Sequence, residues 1–127
     1  MNPVVHFEMP YQDKERVAKF YTEAFGWGTQ QLGPEMGEYV TAATAETDEN
    51  HMVKTPGTIN GGFYAKNSDA PYPSVVISVD DVNAAMAKVV AAGGTVQGEP
   101  MPIPGIGLYV SFVDTEGNRA SLLRATK

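Results

Sequence analysis

His6 and Glu8 stand two residues apart in the run Val4 to Met9, where Val5, Phe7 and Met9 alternate with Val4, His6 and Glu8. Period-two alternation marks a half-buried strand, so one face is apolar and the other presents an imidazole beside a carboxylate. That pairing suits proton transfer, with His6 as a general base and Glu8 orienting it. The remaining chemistry-bearing residues are arranged less productively. Asp80 and Asp81 sit where a helix must begin, and either serves as a cap facing the helix dipole. Glu46, Asp48, Glu49 and His51 lack the glycine and alternating spacing of a calcium loop and describe a solvated loop. Gly105-x-Gly107 leads into a strand rather than a helix, which makes it a turn and not a phosphate cradle. The chain has no cysteine, which excludes disulfides, thiolate metal sites and a thiol nucleophile. Neither a Ser-His-acid spacing nor a Walker-type or dinucleotide fingerprint occurs in it.

The strand bearing His6 and Glu8 needs elements around it, and the sequence supplies them twice. Asp13 caps a helix near residues 13–25 in which Val17, Tyr21, Ala24 and Phe25 share a face, and Gly26 provides a left-handed stop. Strand-like runs follow at Trp27–Leu32, Glu38–Ala43 and Thr58–Ala65. The pattern then restarts at Ser74–Val79, where Val75, Ile77 and Val79 alternate with Ser74, Val76 and Ser78. A second helix is expected near residues 81–92, with Val82, Ala85, Met86, Val89 and Val90 on its apolar face and Gly93-Gly94 ending it. Further strands are expected at Thr95–Ile103, Leu108–Val113 and Arg119–Leu123. The 127 residues, 43% of them apolar, suit one α+β domain of two βαβββ modules, 1–66 and 74–127, joined by 67–73. Their helices are expected on the faces of Val5/Phe7/Met9 and Val75/Ile77/Val79. The opposite faces, with His6, Glu8, Ser74, Ser78 and Ser121, would line a concavity. Tyr39, Tyr64, Tyr72, Tyr109 and Trp27 supply aromatic surface to such a pocket and to the core. Gly61-Gly62 inside a strand marks a bulge or a close approach to a ligand or another strand.

Fifteen acids against nine bases give a net charge of −6, which repels phosphates and anionic lipid heads. Nucleic acid and membrane are therefore not expected as partners. With neither a basic, apolar leader nor a long apolar run, the chain reads as a cytoplasmic protein.

The chain resembles the glyoxalase, bleomycin-resistance and extradiol-dioxygenase superfamily, whose members are also called vicinal oxygen chelate proteins. The resemblance rests on Val5-His6-Phe7, Phe20-Tyr21-x-x-x-Phe25-Gly26-Trp27, Val79-Asp80-Asp81-Val82 and Asp114-Thr115-Glu116-Gly117-Asn118, in that order along nearly the whole chain. It implies a cupped eight-stranded mixed sheet with helices on its outer faces, a ligand or metal in the cup between the modules, and a homodimer. The family's metal positions fall on His6, Ser74, Ser121 and Gly61 or Gly62. Ser hydroxyls and glycines are poor donors to divalent metals. The expectation is thus a small-molecule-binding protein with no metal or other cofactor. In it His6 and Glu8 are the catalytic candidates, and Ser74, Ser78, Tyr64, Tyr109 and Ser121 contact the ligand. Two other readings stand beside it: a metal-dependent glyoxalase-type lyase or dioxygenase using His6, and a subunit or interaction protein whose cup is filled by its own side chains.

Overall fold

The computed structural model describes residues 1–126, and these divide into two compact units, His6–Pro73 and Met1–Val5 with Ser74 onward. Strand β1 (Val4–Tyr11) leads into helix α1 (Lys14–Phe25), β2 (Gly28–Gln31), a 3-10 turn at Pro34–Met36, β3 (Val40–Ala43) and β4 (Asn60–Ala65). The first unit orders its strands β2-β3-β4-β1, with β1 parallel to β4 and the other pairs antiparallel. The second unit contains β5 (Ser74–Ser78), α2 (Val82–Ala91), β6 (Thr95–Ile103), β7 (Gly107–Val113) and β8 (Arg119–Ala125). Its order is β5-β8-β7-β6, again with one parallel pair, β5–β8. The chain therefore has the α+β class that its repeated pattern predicts: eight strands in mixed array with two helices, as two βαβββ modules.

Local chemistry sets the helix ends. Asp13, in extended conformation, accepts a hydrogen bond from Arg16 N at 2.9 Å, and Gly26 stops α1 at φ +72°. Asp81, not Asp80, caps α2, accepting from Ala84 N at 3.0 Å.

In the first unit Ala18, Val40, Ala42 and Phe63 are buried, and Phe7, Met9, Val17, Tyr21 and Trp27 pack around them. Trp27 thus belongs to the core, stacked on Tyr21 with 4.5 Å between ring centroids. In the second unit Val79, Val82, Val110 and Leu122 are buried, flanked by Ile77, Ala85, Met86, Val89 and Phe112. Four expected core residues lie outside. Ala24 and Phe25 are exposed in the last turn of α1, where the Phe25 ring keeps tilted contacts with neighbouring rings, its centroid 5.9 Å from Tyr21 and 6.2 Å from Trp27. Val75 and Val90 retain 40% and 60% of their surface, Val75 near the start of β5 and Val90 in the last turn of α2. The loop of Glu46, Asp48, Glu49 and His51 is solvent-exposed, and Asp48 Oδ1 accepts from Asn50 N and Met52 N within it. Among the described residues no helix is long and apolar enough to cross a membrane.

Candidate functional site

Because Phe7 and Met9 point into the first core, alternation sends His6 and Glu8 to the other face of β1. On that face Glu8 lies beside Gly62 of β4, its register partner. Glu8 is only 8% exposed, and its carboxylate Oε2 accepts a hydrogen bond from Tyr39 Oη at 3.0 Å. The phenol reaches it because residue 62 has no side chain: a Cβ there would stand 2.2 Å from the Tyr39 ring. Gly61 serves the opposite face, where a Cβ would meet the Phe7 carbonyl oxygen at 2.3 Å and the Phe7 ring at 2.6 Å. The tandem glycines thus accommodate one aromatic ring on each side of β4.

Tyr39 is held by the loop that carries it. Leu32 N donates to Tyr39 O at 2.8 Å, and Tyr11 Oη donates to Glu38 O at 2.7 Å. Lys14 pairs with the Glu38 carboxylate, which raises its ammonium pKa above the usual value. The His6 ring is oriented by Asn60, whose carbonyl oxygen lies 2.9 Å from Nδ1. A carbonyl only accepts, so Nδ1 carries the proton, and in the neutral ring Nε2 is the acceptor nitrogen. Asn60 is itself fixed, its Oδ1 accepting from Thr44 N and Ala45 N at 2.8 and 2.9 Å. Tyr64 Oη lies 3.0 Å from the carbonyl oxygens of both Ala70 and Tyr72, a contact that ties down the segment leaving the first unit. Tyr72 is 77% exposed.

The second unit carries a polar cluster of its own residues on the face away from α2. Ser121 and Ser111 are register partners on β8 and β7, both buried, with their hydroxyls 3.1 Å apart. Ser121 Oγ donates to Tyr109 Oη at 2.6 Å, and Arg119 Nη2 donates to Ser111 Oγ at 2.7 Å. Arg119 Nε is held by Gln97 Oε1 at 3.1 Å. Ser78 lies on the same face, level with Leu123, and its backbone N–H donates to Pro3 O. Ser74 Oγ is buried without a hydrogen-bond partner. Sequence reading found Tyr109 and Ser121 but not Ser111, Arg119 or Gln97. The alternation of Leu108, Val110 and Phe112 with Tyr109, Ser111 and Val113 was the available signal.

At the positions that the family resemblance assigns to metal ligands, His6 is the one residue with an imidazole or carboxylate to offer. No acid stands at Gly61 or Gly62, and the Ser121 hydroxyl is bonded to Ser111 and Tyr109. Among the described residues no three His, Asp or Glu side chains come together. A shallow depression of about 440 Å³ lies elsewhere, where β1 meets α1, and includes Asp13, Arg16, Phe20 and Lys66. Its charged groups are all solvent-exposed, so it lacks the desolvated, convergent polar atoms of a specific ligand site.

Residues 4–122 match the family model described as the Glyoxalase/Bleomycin resistance protein/Dioxygenase superfamily. The chain is similar to a probable lactoylglutathione lyase of Vibrio parahaemolyticus, 28% identical over 123 residues that cover 95% of this chain and 89% of that one. A glyoxylase-like domain-containing protein of Didymella fabae is 32% identical over 116 residues, 87% of this chain and 84% of its own length. Among solved structures, a methylmalonyl-CoA epimerase of Streptomyces coelicolor superposes with a TM-score of 0.69 at 14% identity, covering 98% of this chain and 97% of that one. At that identity the likeness is one of fold.

Proposed function

Since the chain belongs to the Glyoxalase/Bleomycin resistance protein/Dioxygenase superfamily, we propose that it binds a small organic molecule without a resident divalent metal, with Glu8 as the group that receives the ligand. The observation that carries this reading is the nearly buried Glu8 carboxylate, held in place by Tyr39. Burying a carboxylate is costly unless it is hydrogen-bonded, and groups retained at such cost concentrate at functional sites. Glu8 and His6 Nε2 are both acceptors, so the matching ligand is a hydrogen-bond donor: a hydroxylated or amino compound. Cytoplasmic residence and a homodimer belong to the same proposal. Light scattering at micromolar concentration is expected to return twice the chain mass, and a monomer overturns the dimer.

A panel of small hydroxylated and amino compounds, screened by thermal shift and followed by calorimetry, tests the binding role. Glu8→Gln keeps the shape but removes the charge, and it is expected to weaken binding by about tenfold or more, as hydrogen bonds to charged groups are worth about 1.5–3 kcal/mol. Equal affinity in Glu8→Gln, or no stabilising compound, overturns the reading. Elemental analysis after dialysis is expected to find no stoichiometric metal. Zinc, nickel, manganese or iron in stoichiometric amount, lost in His6→Ala, overturns the metal-free part. The name of the Vibrio relative favours a second reading, a lyase acting on lactoylglutathione. Turnover of lactoylglutathione by the protein with added zinc or nickel would establish it in place of the first.

A further inference from the structure

We infer that the first unit docks with a second copy of this chain, the acidic loop Glu46–Met52 of one copy seated in the depression between β1 and α1 of the other. This names an interface for the proposed homodimer and rests on that reading. The depression lies where β1 and β4 end, since Tyr11 and Ala65 are register partners and Lys66 follows directly. Arg16 and Lys66 bring two cations to it. Asp13, the one acid that lines it, is turned to the start of α1, where its carboxylate accepts from Arg16 N. Phe20 is 56% exposed there, its ring edge-on to Tyr21 with 5.0 Å between centroids, and Phe25, 63% exposed, continues the apolar surface along α1. Exposed aromatic rings beside arginine match the composition of protein interfaces, where both are enriched.

Charge selects the occupant. The chain carries −6 overall, so a basic depression runs against its general balance and favours an acidic partner surface. The same unit presents one. Glu46, Asp48 and Glu49 are exposed, and Met52 beside them keeps 63% of its surface, an apolar side chain to set against Phe20. The ion pairs among the described residues are Lys14–Glu38 and Lys54–Glu46, and neither uses Arg16, Lys66, Asp48 or Glu49. The loop leads into β4 at Asn60, the end opposite Lys66, and six residues at about 3.3 Å each separate the two ends. Features at opposite ends of one strand meet twice when two copies lie antiparallel. Each depression then takes the other copy's loop, and the contact closes as a two-fold dimer.

Charge exchange in the full chain, read by sedimentation and light scattering, tests the contact. Arg16→Glu with Lys66→Glu reverses the depression, and Glu46→Lys with Glu49→Lys reverses the loop. Asp48 is left in place because its carboxylate holds the loop backbone. Each double variant sets like charges against each other and is expected to weaken self-association by about a hundredfold. Mixed in equal amounts, the two variants present opposite charges at both contacts, and a heterodimer is expected to return. Phe20→Ser is expected to weaken the parent dimer about thirtyfold without altering any charge, as loss of an aromatic anchor does. All the substituted side chains are exposed, so the urea midpoint of each variant should match that of the parent. A double variant that stays dimeric, or a mixture that stays monomeric, overturns the interface. A parent dimer untouched by every one of these changes does the same while the homodimer itself stands, formed through another surface. A monomeric parent overturns both, and binding at Glu8 is unaffected by either result.

Discussion

Phe63→Ala is expected to destabilise the chain by about 3–5 kcal/mol, the range for truncating a buried aromatic ring. Phe63 has no exposed surface and lies in β4 between Met9 of β1 and Val40 of β3 in register. Its ring centroid is 5.2 Å from Tyr21 and 6.4 Å from Trp27, and those two rings are stacked on each other. Stacked neighbours have little freedom to collapse into the cavity, which places the cost toward the upper part of the range. Urea unfolding followed by fluorescence of Trp27, the only tryptophan, reads it directly. The midpoint should fall with the slope unchanged. Phe7→Ala should cost less, because that ring is only partly buried, and His6→Ala less again, because it lies on the other face. A loss under about 1 kcal/mol for Phe63→Ala, the size of an average substitution, would mean that this ring does not anchor the first core.

Gly62→Ala is expected to damage stability and binding together, which is unusual for a methyl group added to a strand. Gly62 does not lie at positive φ, and at such positions alanine normally gains about 0.4–1 kcal/mol by restricting the unfolded chain. Here the sign reverses, because the new Cβ would stand 2.2 Å from the Tyr39 ring and hydroxyl. Tyr39 must move, which removes its hydrogen bond from the buried Glu8 carboxylate. Overpacking of this kind costs about 1–3 kcal/mol. Binding should drop with it, by an amount comparable to Tyr39→Phe. The clash disappears when Tyr39 is also truncated, so the cost of Gly62→Ala in a Tyr39→Ala background should shrink or change sign. A Gly62→Ala protein as stable as the parent, with binding intact, would show that Tyr39 has room to yield and does not hold Glu8.

Much of this architecture was legible in the residue order. Asp13 and Gly26 set the ends of α1, and the alternation around Phe7 separated the core side of β1 from the side of His6 and Glu8. The glycines at 61 and 62 announced a close approach, although not that Phe7 and Tyr39 were the groups approaching. Val75, Val90, Ala24 and Phe25 were misplaced because periodicity says which way a side chain points and not whether anything lies there to cover it.

The two polar clusters depended on chain pairings that no local pattern contains. Tyr39 meets Glu8 across 31 residues, through the 3-10 turn at Pro34–Met36 and the Tyr11–Glu38 contact. Ser111 meets Ser121 only because the Asp114–Asn118 turn sets the β7–β8 register. Backbone N–H groups of Asn118 and Glu116 bind the Asp114 carboxylate there and hold its pKa below the usual carboxylate value. A slip of one residue would turn Ser121 toward the helix and break its hydrogen bond to Tyr109. The sequence by itself determined the order of elements, their ends and the apolar side of each, because those follow from backbone geometry that repeats every two or 3.6 residues. Only the tertiary structure decided that Glu8 is held by Tyr39, and Tyr109 by a line of hydroxyls from Arg119, because a hydrogen bond requires atoms within about 3 Å and strand register alone brings them there.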